Sequence, residues 1–161
     1  MNLTEKIKNQ RLYFDGGSGT YFQARGLKPG EMPEIWNITN AETVKQMHLD
    51  YLKSGSDIIT ANTFGANILK FDGKNGRYSL EEIISSALKN AKDAIKTFGV
   101  QEKYVALDIG PTGRLLKPLG DLDFEDAVKI FAETVKLGVK YGADLILTET
   151  MNDAYETKAA V

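Results

Sequence analysis

Four polar side chains each follow one of the four short apolar runs that the sequence predicts as strands. They are Asp15, Asn62, Asp108 and Glu149. Clustered carboxylates suit either a cationic ligand group, such as an α-ammonium, or a hard metal ion. A single Asp can equally cap a turn by accepting backbone N–H groups. Four equivalent positions favour a binding site over four separate turns.

Asp15 also opens a glycine-rich segment, Asp15-Gly-Gly-Ser-Gly-Thr20. Gly16 and Gly17 allow a ligand to approach the backbone and expose N–H donors that suit a carboxylate, although a flexible turn is the alternative. The segment lacks a P-loop lysine, and we expect no helix to begin directly after it. Both features argue against a phosphate-binding loop.

An internal repeat indicates which elements position these side chains. Residues 53–63 return without a gap as residues 140–150, each copy passing from a helix-ending glycine (Gly55, Gly142) through an aspartate (Asp57, Asp144) into an apolar run. This pattern predicts helix, tight turn, buried strand and a polar group at the strand's carboxyl end. Repeated β/α units collect their chemistry at that end.

The predicted strands are short, apolar and bounded by glycine or charge, as is typical of buried parallel strands. They are Leu12–Phe14, Asp57–Ala61, Tyr104–Leu107 and Asp144–Leu147. The connections that follow the first three strands are long, which is expected of a working barrel mouth. They cover residues 16–38, 64–78 and 109–122.

Helices are predicted between the strands. Capping-box spacing starts the first at Thr39–Glu42 and the second at Ser79–Glu82. The third begins near Asp123, and the fourth begins at Asn152-Asp153 and is still helical in pattern at Val161.

The pattern therefore predicts an α/β fold, a (βα)4 half of a TIM (β/α)8 barrel, over residues 1–161. We expect this N-terminal half to end inside its fourth helix, because a whole barrel typically needs about 250 residues. A doubly wound open sheet is the alternative, but no Gly-x-Gly-x-x-Gly follows a strand.

Composition excludes several classes of protein. A net charge of −2 gives no reason to expect nucleic acid or an anionic membrane as a partner. No apolar stretch approaches the roughly 20 residues that cross a bilayer, and the polar amino terminus lacks a secretory signal, so we expect a cytoplasmic protein. The absence of cysteine excludes disulfides and thiolate metal ligands within these 161 residues.

A set of motifs, in order and with compatible spacing, resembles the homocysteine S-methyltransferase family, and most closely the homocysteine-binding module of cobalamin-dependent methionine synthases. The resemblance covers the chain from Leu12 onward. Its motifs are Asp15-Gly-Gly-Ser-Gly-Thr20, Asn62-Thr-Phe-Gly-Ala-Asn67, Asp108-Ile-Gly-Pro-Thr-Gly113 with Lys117-Pro-Leu-Gly120, and Glu149-Thr-Met-Asn152 with Lys158-Ala-Ala-Val161.

This resemblance implies a TIM barrel in which zinc holds homocysteine as a thiolate, ready to accept a methyl group from methylcobalamin or, in relatives, from betaine or a methylsulfonium. Zinc is suited to this because a free thiol has a pKa of about 8.5. By the same resemblance, Asp15, Gly16 and Glu149 hold the amino acid part of homocysteine, Gly17 belongs to the same motif, and Asn62 and Asp108 shape the pocket.

The chain departs from the family in its zinc ligands, which are cysteines of the barrel's second half. His48, the single histidine, lies on the apolar stripe of the first predicted helix, and we interpret it as a hydrogen-bonded structural residue. We therefore expect this chain alone to bind no cofactor and to lack a metal site. Zinc and methylcobalamin are implied for the complete enzyme.

Three alternatives follow. The chain supplies the homocysteine-holding half of the enzyme, with the missing C-terminal half of the barrel or a second copy as its partner, because a half-barrel leaves two strand edges uncovered. It is otherwise a non-catalytic binding or assembly half-barrel. A third possibility is a Mg²⁺ or Mn²⁺ enzyme that uses Asp15, Asp108 and Glu149 as oxygen ligands.

Overall fold

The computed structural model describes residues 3–74, 78–100 and 102–161, so part of the predicted loop 64–78 lies outside the described residues. The helices are α1 (Leu3–Asn9), α2 (Ser18–Gln23), a 3-10 helix (Pro33–Ile35), α3 (Trp36–Thr39), α4 (Ala41–Lys53), α5 (Leu80–Phe98), α6 (Phe124–Lys140) and α7 (Ala154–Ala160). The strands are β1 (Ile58–Thr60), β2 (Tyr104–Ile109) and β3 (Leu145–Thr148).

The strands form one parallel sheet in the order β1-β2-β3. Ile59 pairs with Val105, and Asp108 pairs with Leu147. Because helices separate consecutive strands and β2 pairs in parallel with both β1 and β3, the α/β prediction is confirmed. Closure as half of an eight-stranded barrel remains a prediction.

The prediction that Leu12–Phe14 forms a regular strand is wrong. One parallel bridge joins Phe14 to Ile58. Ile58 N–H donates to the Tyr13 carbonyl at 3.1 Å, and Asp15 N–H donates to the Ile58 carbonyl at 3.0 Å. The ladder stops there because Gly16 and Gly17 follow at once, and glycine weakens strands. The segment nevertheless lies alongside β1, as the prediction requires.

The two copies of the repeat have the same hydrogen-bond pattern. Asp57 N–H donates to the Tyr13 carbonyl at 2.8 Å, while the Asp57 carboxylate accepts Tyr13 N–H at 3.1 Å. Asp144 does the same with Val105, at 2.9 Å and 2.8 Å. Each aspartate thus binds both backbone groups of one residue in the neighbouring segment, which fixes the register where a strand begins.

Helix starts follow the predictions in three of four places. The Ser79 hydroxyl accepts Glu82 N–H and the Glu82 carboxylate accepts Ser79 N–H, so the capping box of α5 is confirmed. Helices α6 and α7 follow Asp123 and Asp153.

The capping box predicted at Thr39–Glu42 is wrong. Residues 36–39 are already helical, and the Thr39 hydroxyl donates to the Ile35 carbonyl, so Asn40 precedes α4 instead.

The main core lies between the sheet and helices α5 and α6. Ile59 and Leu107 are fully buried there, and Gly138 of α6 lies so close to Leu107 that a Cβ atom would be 2.5 Å from it. A second cluster packs the first long loop against α4, with the rings of Phe22 and Trp36 at 5.4 Å. None of the described helices is both long and apolar enough to span a membrane.

His48 lies on α4 and is fully buried. Neither ring nitrogen has a hydrogen-bond partner among the described residues, so the prediction of a hydrogen-bonded histidine is wrong. Burial lowers the pKa of His48 to about 4. The ring therefore packs as a neutral core residue.

Candidate functional site

A cavity of about 670 Å³ opens at the carboxyl ends of the strands. Three of the predicted polar residues line it: Asn62 after β1, Asp108 near the end of β2, and Glu149 after β3. Parallel strands bring their carboxyl ends to one edge of the sheet, which explains why residues far apart in the chain meet here. The first long loop closes another side through residues 17–19.

Asp15 is not among the described residues that line this cavity; it lines a second cavity together with Tyr51. Its carboxylate accepts the Thr60 N–H at 2.9 Å and the Thr60 hydroxyl at 3.0 Å. Burial, together with the charge of Glu149, raises the pKa of Asp15 to about 6. Asp15 therefore connects the first segment to β1 while staying within the electrostatic reach of Glu149.

The two predicted glycines have different surroundings. A Cβ atom on Gly16 would lie 2.9 Å from the Tyr51 ring, whereas one on Gly17 would meet no atom within 4 Å. The Tyr51 hydroxyl donates to the Gly17 carbonyl at 2.8 Å. Gly16 is thus required by close packing, and Gly17 faces the cavity.

A helix does begin in this glycine-rich segment, contrary to the sequence prediction: α2 starts at Ser18. It has only six residues, and the segment still has no P-loop lysine.

The Asn62 side chain forms hydrogen bonds within the protein. Its amide nitrogen donates to the Pro33 carbonyl at 2.8 Å and to the Asn37 side-chain oxygen at 3.1 Å. The Asn37 amide in turn donates to the Asn62 carbonyl at 2.8 Å, and Asn90 donates to the Asn37 carbonyl. This buried network holds the first loop over β1, so Asn62 shapes the wall of the cavity.

Asp108 is the most unusual group in the cavity. It is 7% exposed, and its Oδ1 atom has no hydrogen-bond partner among the described residues. Burial, reinforced by the charges of Glu149, Asp15 and Glu34, raises its pKa to about 8. The Thr63 hydroxyl fixes the backbone by bonding both the carbonyl (2.8 Å) and the N–H (3.1 Å) of Asp108. A buried acceptor with no partner suits a ligand that brings a donor.

The structure adds cavity residues to which the sequence analysis assigned no role, although Phe64 lies within the motif Asn62–Asn67. Glu34 is 5% exposed and accepts Gly65 N–H at 2.6 Å. Phe64 packs over Gly110, where a Cβ atom would lie 2.5 Å from the ring. Lys70 lines the same cavity. All three side chains lie in the long connections that follow the predicted strands. The lengths of these connections indicated a site, but loops have no periodicity that marks which side chains point inward.

Asp15, Asp108 and Glu149 do not form the oxygen-ligand metal site considered above. Within residues 3–74, 78–100 and 102–161, no three His, Cys, Asp or Glu side chains are grouped so that they could hold a metal ion. These residues also cannot form a thiolate zinc site, because the chain has no cysteine.

Residues 12–161 match the family model for homocysteine S-methyltransferases. The chain belongs to this family. It is 26% identical to a methionine synthase from Mycobacterium tuberculosis over 168 residues, an alignment that covers 99% of this chain and 14% of that protein. The resemblance stated from the motifs is therefore confirmed.

Crystal structures of the homocysteine methyltransferase MmuM from Escherichia coli share the fold. The metallated form aligns with a TM-score of 0.78 and 21% identity over 95% of this chain and 58% of that one. The oxidised form gives 0.80 and 22% over 98% and 59%. The chain thus spans well under two thirds of the length of these relatives.

Proposed function

We propose that this chain holds the amino acid part of homocysteine, as one portion of a homocysteine S-methyltransferase. The family match over residues 12–161 carries the proposal. The cavity supports it, because Glu149 can attract an α-ammonium group, Asp108 can accept a hydrogen bond from it, and the open backbone at Gly17 can approach the substrate.

Each predicted residue then has a distinct role. Glu149 is exposed at the mouth and offers an ionic partner to the ammonium group. Asp108, whose Oδ1 atom has no partner in the described structure, accepts an N–H donor from the same group. Asp15 and Gly16 position the first loop, and Asn62 holds the wall. The neutral carboxyl form of Asp108 dominates at pH 7, because its pKa is about 8.

In this proposal, the homocysteine thiol is activated by a part of the enzyme outside these 161 residues. Zinc would supply a thiolate at neutral pH, but these 161 residues offer no thiol ligands, and His48 is enclosed in the core. We expect the purified chain to retain no stoichiometric zinc and to form no methionine. Elemental analysis showing one zinc per chain, together with methionine production, would contradict this division of roles.

The proposal extends to assembly, as a (βα)4 half-barrel spanning residues 1–161. Apolar side chains are exposed beside both sheet edges: Tyr13 (61%) and Phe14 (42%) next to β1, and Ile146 (37%) in β3. Such edges favour pairing with other strands. We propose that a complementary barrel half, or a second copy of the chain, covers them. Light scattering that shows a stable monomer would contradict the second-copy arrangement.

Isothermal titration of the chain with L-homocysteine and L-methionine tests the binding role. We expect millimolar or tighter binding, weakened about tenfold in Glu149→Gln, since one ionic hydrogen bond of about 1.4 kcal/mol is lost. Glu125→Gln, at an exposed position of α6, is the matched control and should bind as the unaltered chain does. Absence of binding at millimolar ligand would favour the non-catalytic assembly half-barrel instead.

A further inference from the structure

The cavity at the strand ends contains one basic side chain among several acidic ones. Among its described lining residues, Lys70 is the basic residue, and the acidic residues are Glu31, Glu34, Asp108 and Glu149. Lys70 is half-buried. In the described part of the chain, no carboxylate oxygen lies within 4.0 Å of the Lys70 ammonium nitrogen.

The position of Lys70 is set by neighbouring turns. Its N–H donates to the Asn67 carbonyl at 3.1 Å, and the Asn67 side-chain oxygen accepts Leu69 N–H at 3.0 Å. The stem crosses the adjacent loop, with Cε 3.8 Å from the place where a Cβ atom on Gly113 would lie. The ammonium nitrogen lies 3.2 Å from the corresponding point at Gly65, and the Glu34 Oε1 atom lies 2.6 Å from the same point. The missing side chain at Gly65 leaves room for the end of the lysine, whereas a Cβ atom on Gly113 would be in ordinary contact with it.

Its surroundings indicate what this ammonium group could bind. An amino acid carries a carboxylate beside its ammonium group, and the glutamate side chains of the cavity repel that carboxylate while attracting the ammonium. A cation in the same cavity offsets the repulsion. A lysine already paired with one of the acids could not do so, whereas Lys70 has no such ion pair in the described structure.

We propose that Lys70 binds the α-carboxylate of the amino acid substrate, while Glu149 and Asp108 bind its ammonium group in the same cavity. This assignment rests on the proposed function and gives the cavity its selectivity for a whole amino acid over a simple amine. The backbone at residues 17–19 is the competing carboxylate site, because it lines the same cavity. Lys70 differs from it in carrying a full charge.

The test compares two ligands that differ only in the carboxylate: L-homocysteine and 3-aminopropane-1-thiol. Both are titrated into the unaltered chain, Lys70→Met and Lys70→Arg. We expect Lys70→Met to weaken homocysteine binding about tenfold or more and to change binding of the amine less than about twofold, because only homocysteine loses an ionic contact. Lys70→Arg keeps the charge and should retain most of the homocysteine affinity.

Lys136→Met removes an equal charge from an exposed position on α6, outside this cavity, and is the matched control. Circular dichroism melting of each variant checks that it is folded. If Lys70→Met weakens both ligands equally, or neither, the carboxylate assignment is wrong while the proposed function stands. If the unaltered chain binds neither homocysteine nor methionine, the proposed function and this inference both fail.

Discussion

Replacing Asp108 with asparagine tests whether the cavity keeps a carboxyl group at the expense of stability. The pKa of this carboxyl rises from 3.8 in the unfolded chain to about 8 in the folded protein, because of burial and then of the neighbouring carboxylates. The folded state therefore binds the proton more tightly. The stability that this proton contributes is fully present below pH 3.8 and is lost as the pH rises towards 8.

The magnitude follows from the same two pKa values. Relative to the fully protonated protein, the free energy of unfolding is lowered by roughly 6 kcal/mol well above pH 8, and at pH 5 by only about 1.7 kcal/mol. Asparagine has nearly the same shape and no charge. Asp108→Asn should therefore raise the free energy of unfolding modestly at pH 5 and by several kcal/mol at pH 8.5.

Urea unfolding followed by circular dichroism at the two pH values measures this difference. Asp126→Asn, at an exposed position of α6, is the control and should change the free energy of unfolding by less than about 0.5 kcal/mol at either pH. An effect of Asp108→Asn that is equal at pH 5 and pH 8.5, or a loss of stability at pH 8.5, would refute the reasoning.

Two further predictions concern the fold. Burial lowers the pKa of His48 from 6.5 to about 4, so the free energy of unfolding should fall by roughly 3 kcal/mol as the pH drops from 6.5 to 4. In His48→Phe, the free energy of unfolding measured over this pH range should depend less on pH. An unchanged pH dependence would count against this prediction. Asp144→Ala should cost about 1–2 kcal/mol in urea unfolding, because Val105 N–H loses its carboxylate acceptor. Asp121→Ala, which loses only an exposed ion pair with Arg114, should cost less than 1 kcal/mol, and equal losses at both positions would contradict the register role of Asp144.

Local signals in the sequence predicted most regular elements. The Ser79–Glu82 spacing gave the correct start of α5, and the repeat placed Asp57 and Asp144 before β1 and β3. These predictions succeeded because the interactions involve residues a few positions apart or a periodic core face. The Thr39–Glu42 spacing failed because preceding residues 36–39 were already helical, which depends on how the first loop packs.

The candidate site was predictable only in outline. Strand ends are recognisable in sequence, so Asn62, Asp108 and Glu149 were placed at the mouth, where the structure has them. Their separate surroundings were not predictable. The Asn62 amide donates to Pro33 and Asn37, which are residues of the long first loop. No local sequence pattern fixes the path of such a loop.

The sequence by itself determined the parallel α/β organisation, the family and the acidic character of the mouth, because each depends on residue order and spacing. Only the tertiary structure decided that an oxygen of Asp108 and the ring nitrogens of the buried His48 have no hydrogen-bond partner among the described residues, and that Lys70 lines the same cavity as Asp108. Those properties depend on which loops cover a side chain and exclude water from it. That is settled by packing between distant segments, through burial and the charges brought near.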